Sequence, residues 1–573
     1  MSMHVAFRRQ PVQQGAQQLR TITIPAPLRG LVQSENDAFM QPGGALVQTN
    51  WMTTMKGVKL RGGYIRHCVL PETTPVISSF EYAFATTRRM YAANATKLYD
   101  VTAKGAPVEV KSGQSSGNYA AQQMSNNAGV VFLIVANEAG DFLLRTQDGV
   151  TFTTLTGVIG NAADGIPNIT YDPAKAPAGV AQGTGLSYVW SYRNRLYFIQ
   201  KNSMTAWYLD TIDAVGGVLK PIYMAGASTK GGKLLFGATW SIDAGDGTDD
   251  KNVFVTDQGE ILVFTGSNPG DSANWRQEGR YKIGPPMGMN AHMLLGGDLM
   301  IMTTEGIVPV SAAISKDSGA LDLAMITKNI KPLWREETTN PAKRAFPWTM
   351  KMWDEFGGIF VTTPMGSSPS TRHMLAVNNA NGSWCIFTLD ATCFMRMGPD
   401  LYFGTPNGIV MQAERTGYDD GLPYVATVVG GWETFNSGAS QVVWHQARAV
   451  FSAATNEPFE PQLSATVDYV IEIPAPPPVE PDPGTFDVWD EGLWGPPGSG
   501  NIVPVPPADA AAYAQWDQAP ASKPTIRNTM WQSIGMSGFA HAPIVQVQIG
   551  QMARPQVELI AIGTTQEPGG VNV

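Results

Sequence analysis

Four carboxylates fall within eight residues at Asp243-Ala244-Gly245-Asp246-Gly247-Thr248-Asp249-Asp250. Hard cations such as calcium are held by several oxygen ligands, and clustered Asp side chains can supply them. The spacing departs from an EF-hand loop, whose ligands alternate before a glycine and end in a Glu. Asp and Gly also dominate tight turns, because Asp caps backbone amides and Gly accepts positive φ. A turn is the favoured reading of Asp243–Asp250, with a bound cation as the alternative. The other reactive residue types do not converge. Six histidines (His4, His67, His292, His373, His445 and His541) stand singly, without the His-x-His or His-x-x-x-His spacing of a metal site. Three cysteines, Cys68, Cys385 and Cys393, contain no Cys-x-x-Cys pair and are too few for a disulfide framework. Buried, inert thiols are expected. No phosphate-cradling Gly-x-x-x-x-Gly-Lys loop occurs. Paired carboxylates for glycoside hydrolysis need only a separation in space, and nothing marks such a pair. The sequence therefore predicts no catalytic residues, no cofactor and no resident metal.

The elements that would carry these residues are short strands. The chain has 573 residues, with 15% charged and 43% hydrophobic side chains, 60 glycines and 41 prolines. Charge is low against the roughly 25% of an average soluble protein, and turn formers are abundant. A disordered chain, a coiled coil and a collagen-like rod are excluded, and an all-β protein is expected. A unit recurs in which a short aromatic-aliphatic strand is followed by a Gly or Asn turn and a second strand. If Tyr91, Phe132, Tyr197, Phe254, Met300, Phe360 and Tyr402 are equivalent, the spacings are 41, 65, 57, 46, 60 and 42 residues. Their mean, about 52, is near the length of a four-stranded propeller blade. A propeller of about seven blades is predicted over residues 66–425, with a sandwich or solenoid as the alternative. Thr146-Gln147-Asp148-Gly149-Val150-Thr151-Phe152 resembles the Asp-box of sialidase propellers. That resemblance implies a hairpin turn away from any active site, and no local pattern picks out a sialidase's arginine triad, acid and tyrosine.

Two regions lie outside the repeat. Residues 1–65 carry Arg8, Arg9, Arg20 and Arg29 before the first acid, Glu35, and read as a basic arm or platform segment that docks a partner, with a solvated flexible tail as the equal alternative. Residues 426–573 return to strand-like alternation, as at Ile544–Ile549 and Val557–Ile562, and are expected to form a second β domain, with a contribution from the N-terminal chain. That domain is interrupted by a proline-rich, acidic insertion near 472–510, with eleven prolines between Pro474 and Pro507. From Ala449 to Ser522 there are eleven acids and no Lys or Arg. The whole chain carries a formal net charge of −9, which disfavours a protein that grips nucleic-acid phosphates. The opening residues Met1–Arg9 have no apolar segment behind their charges, so no secretory signal is expected, and no run reaches membrane-span length.

Pro27-Leu28-Arg29-Gly30-Leu31, Gln41-Pro42-Gly43-Gly44-Ala45, Trp51 and Lys56-Gly57-Val58-Lys59-Leu60-Arg61-Gly62-Gly63 together resemble structural proteins of tailed bacteriophages. So do Asp243–Asp250, the stretch Thr265–Trp275, the run Gly279–Gly288 and the tryptophans of Phe486–Gly495. The family resembled is the tail nozzle, or tail tubular protein B, of short-tailed phages. The resemblance implies a β-propeller protein in a homo-hexameric ring below the portal and adaptor. It further implies that this virion ring, assembled in the host cytoplasm, retains packaged DNA, conducts it at ejection and docks fibres or spikes. An acidic wall suits passage of duplex DNA, since every phosphate neutralised by Lys or Arg adds affinity through counterion release, and the Ala449–Ser522 stretch reads equally as part of such an exit or as a solvated acidic loop. The rival readings are a receptor- or carbohydrate-binding propeller, such as a spike, an adhesin or a glycoside hydrolase, and another tail hub component.

Overall fold

The repeated alternation of apolar residues with Gly, Asn and Asp turns folds into antiparallel meanders, because each short strand buries one row of side chains and returns through a tight turn. The computed structural model describes residues 19–33, 35–36, 40–241, 250–315, 318–340, 347–363, 374–434, 441–454, 459–479 and 524–568. Apart from a helical stretch after Ile307–Pro309 that includes Val310–Ser315 and Lys331–Thr339, these residues are strands and their connections. Six meanders stand as separate sheets of three to five strands. They begin at Ser78–Phe84, Tyr119–Ser125, Leu186–Tyr192, Leu234–Trp240, His292–Leu295 and Cys393–Met397. A further meander, Met350–Trp353 through Trp384–Phe387, falls between the last two in sequence but runs on into a ten-stranded sheet. The expected seven units are thus six free-standing propeller blades and one fused meander. The seven residues taken as equivalent, from Tyr91 to Tyr402, each lie on the second strand of their unit.

Successive units close on one another through apolar and aromatic contacts. Phe80 meets Tyr119 at 5.9 Å, Trp190 meets Phe254 at 5.4 Å, and Phe236 stacks on His292 at 4.2 Å. Phe360 meets Phe394 at 6.1 Å, and the Ser79 hydroxyl donates to the Phe394 carbonyl, which joins the last unit to the first. The final blade is completed from the other end of the chain. Its outer strand is Gly63–Val69, antiparallel to Ile409–Thr416 with Cys68 opposite Val410. Such closure removes an exposed edge and locks the ring with non-local pairing.

The additional β domain is built from both ends of the chain. Val442–Ala453 pairs along its length with Val557–Pro568, which in turn pairs with Arg20–Pro25 and Val58–Leu60. The facing leaf carries Gly44–Thr49, Tyr424–Gly430, Ala540–Ile549 and Gln462–Val467 within the ten-stranded sheet. Trp51, Val58, Phe451, Val545, Val547 and Leu559 are buried between the leaves. Residues 20–60 are therefore integral to this sandwich. Arg8, Arg9, Asp243–Asp249, Phe486–Gly495 and the 480–510 portion of the proline-rich insertion lie outside the described residues.

Candidate functional site

The chain crosses between ring and sandwich at Arg61–Gly62 and again at 417–423, and the two crossings lie side by side. Arg61, with a fully buried side chain, donates to both carboxylate oxygens of Asp419 at 2.7 and 2.6 Å. Its Nε donates to Asn50 Oδ1 at 2.7 Å, and its guanidinium lies 4.1 Å from the Tyr424 ring centroid. The Tyr424 hydroxyl donates to the Arg61 carbonyl. Beside this pair, Arg554 meets the buried Glu414 at 2.6 Å, and Arg66 meets Asp420 at 2.7 Å. Burial opposes the charge of Arg61, but the Asp419 carboxylate outweighs it and holds the guanidinium protonated above its ordinary range. Burial pushes the Glu414 carboxyl up, against the pull of Arg554. Gly63 cannot carry a side chain, because a Cβ there would stand 2.0 Å from the Tyr418 carbonyl oxygen. These paired groups are clamped, so the arrangement binds two folded units together and leaves neither Asp419 nor Glu414 placed as a free acid or base.

Inside the ring, Arg145 and Glu260 are likewise committed to partners. Arg145 is bidentate to Asp164 at 2.8 Å and donates to the Val215 carbonyl. Glu260 accepts from the amides of Thr229 and Lys230 and from the hydroxyls of Ser228 and Thr229. Burial works against ionisation of Glu260, yet these donors prevail and draw its carboxyl down to about 2. His292 is half-buried, stacked on Phe236, and shares a 3.0 Å hydrogen bond with Tyr188. Desolvation lowers its pKa to about 4.

The residues singled out from sequence are dispersed. Cys68, Cys385 and Cys393 are buried free thiols, as expected, and burial alone lifts Cys68 to about 12. His67 bonds to the Val101 carbonyl, His445 to Glu567, and His541 stacks on Trp444. Among the described residues no three His, Cys, Asp or Glu side chains gather as a metal site. Asp250 is buried, and its carbonyl accepts from the Tyr192 hydroxyl. The Asp148 turn follows Leu144–Thr146 in the second blade and accepts the amides of Val150 and Thr151. Gly149 (φ 71°) hands its carbonyl to the Tyr91 hydroxyl of the first blade. Arg29 pairs with Glu35, so it is not a free cation of a basic arm. One spacing passed over in the sequence, Gly113-Gln114-Ser115-Ser116-Gly117, matches the Gly-x-Ser-x-Gly of a nucleophile elbow. It is a linker between two strands with no helix after it, and the Ser115 hydroxyl donates to Asp141.

Among the described residues the surface carries an apolar strip that local sequence did not flag. Tyr469, Val470, Ile471, Ile473 and Phe539 are each 42–56% exposed at one end of the sandwich. The Asp468 carboxylate ties the two segments together by accepting the Phe539 amide. Scattered exposed apolar residues are ordinary, whereas a contiguous group marks a contact surface.

No family model and no curated protein matches the chain. Among solved structures it is similar to the computationally designed Ika8 protein, at 9% identity and a TM-score of 0.32, over 61% of this chain and 99% of that one. It is also similar to BBS1N, solved in complex with ARL6DN and soaked with lead, at 11% identity and a TM-score of 0.37, over 64% of this chain and 98% of that one.

Proposed function

We propose that this chain is a structural subunit of a short bacteriophage tail, the nozzle ring that continues the DNA channel below the portal and adaptor. In this reading six copies form the ring in the virion, retain the packaged genome, conduct it at ejection and dock fibres or spikes. The observation that carries the reading is the exposed strip Tyr469–Ile473 with Phe539, which leads directly into a stretch devoid of Lys and Arg up to Ser522. An apolar contact surface next to an acidic run suits a subunit that must adhere to its neighbours without adhering to DNA. The resemblance of the Pro27–Gly63 and Thr265–Gly288 motifs to tail proteins supports the same reading. No helix of the described residues is long and apolar enough to cross a membrane. Particles grown from an amber variant should fill their heads and then lose DNA to added nuclease. Infectious, nuclease-resistant particles without this chain would overturn the proposal.

A further inference from the structure

The sandwich is open along one side. Between the edge strand Arg20–Pro25 and the facing leaf lies a groove lined by Ile24, Pro25, Met40, Trp432, Glu433 and Pro543, with about 480 Å³ of space continuous with solvent. Its walls mix apolar side chains with Gln41 and exposed backbone, and among the described residues two of its polar groups have no partner. The Trp432 indole Nε1 is buried without a hydrogen-bond partner. The Glu433 carboxyl is half-buried, and among the described residues no hydrogen bond or ion pair reaches it; burial alone pushes its pKa up. A buried carboxylate without a partner is costly, and a cation brought to it would relieve that cost. Among the described residues Arg20–Pro25 pairs on one side only, with Ala561–Gln566, which leaves its other edge open to a strand.

We infer that the groove is the docking site of this chain's own first eighteen residues, with Arg8 or Arg9 brought to Glu433. The segment joins the described chain at Leu19, which is 64% exposed and immediately precedes the groove's edge strand. It contains Val5, Phe7 and Val12 beside Arg8 and Arg9, and no acid, which matches a groove of mixed apolar and polar walls whose one carboxylate lacks a cation. Eighteen extended residues reach up to roughly 60 Å, several times the length of the edge strand. A tethered segment also meets its site at an effective concentration of about a millimolar. The inference is independent of the nozzle reading.

Trypsin cleavage after Arg8 and Arg9, followed by intact mass, tests it on the full chain. The comparison is a synthetic peptide of residues 1–19. In the protein these bonds should be cut at least about tenfold more slowly than in the peptide, at a rate independent of protein concentration. Glu433→Gln, a nearly isosteric change, should return cleavage most of the way to the peptide rate while the remaining tryptic pattern stays the same. Cleavage of the natural chain at the peptide rate, or protection that Glu433→Gln leaves intact, would overturn the assignment. Protection that grows with protein concentration would reassign the groove to a neighbouring copy's segment.

Discussion

At the scale of single residues, Arg61 and Glu260 are charged groups held by structural partners, and both give sharp tests. Removing Arg61 leaves Asp419 in place without its guanidinium, and breaking a buried pair from one side costs about 3–5 kcal/mol. Arg61→Met should lower unfolding free energy by about that amount in denaturant titrations. A loss under about 1 kcal/mol would mean that the junction is solvated. Glu260 is held ionised in the folded state to about 2, below its ordinary value near 4.5. Its contribution is therefore present above about pH 4.5 and is lost as pH falls toward 2. Glu260→Gln should cost about 2 kcal/mol at pH 7 and close to nothing at pH 2, read as a pH series of unfolding midpoints. The inert cysteines and the Asp148 turn were legible in the sequence, because each depends on composition or on neighbours a few residues away. The Arg61–Asp419 pair was not, because its partners are 358 residues apart and no local pattern links them.

At the scale of elements, period-two alternation made the strands readable, and the seven equivalent positions all fall on second strands. What the repeat could not reveal is which units stay separate. Trp384–Phe387 has the same kind of sequence as other blade strands, yet it runs parallel to Gly30–Leu31 and Gly44–Thr49, more than three hundred residues away. The physical consequence is coupling. The ten-stranded sheet belongs to both ring and sandwich, and Gly63–Val69 belongs to the ring although the strands just before it belong to the sandwich. Scanning calorimetry should accordingly show one cooperative transition rather than two. Two well-separated transitions would show that ring and sandwich are energetically independent despite their shared strands.

At the scale of the whole molecule, the proposal turns on how copies assemble. A closed ring of identical subunits uses two different complementary surfaces on each copy. The strip of Tyr469–Ile473 with Phe539 is one candidate surface, and the acidic stretch after it is placed by the nozzle reading near the DNA path. A receptor- or glycan-binding propeller would make different demands, with a concave site and a monomeric or trimeric assembly. Electron microscopy of the purified protein and of intact particles, with symmetry left free, separates these most directly. The account predicts a six-fold ring whose axial hole is about the width of duplex DNA, located at the tail. Monomers or trimers in both samples would contradict it.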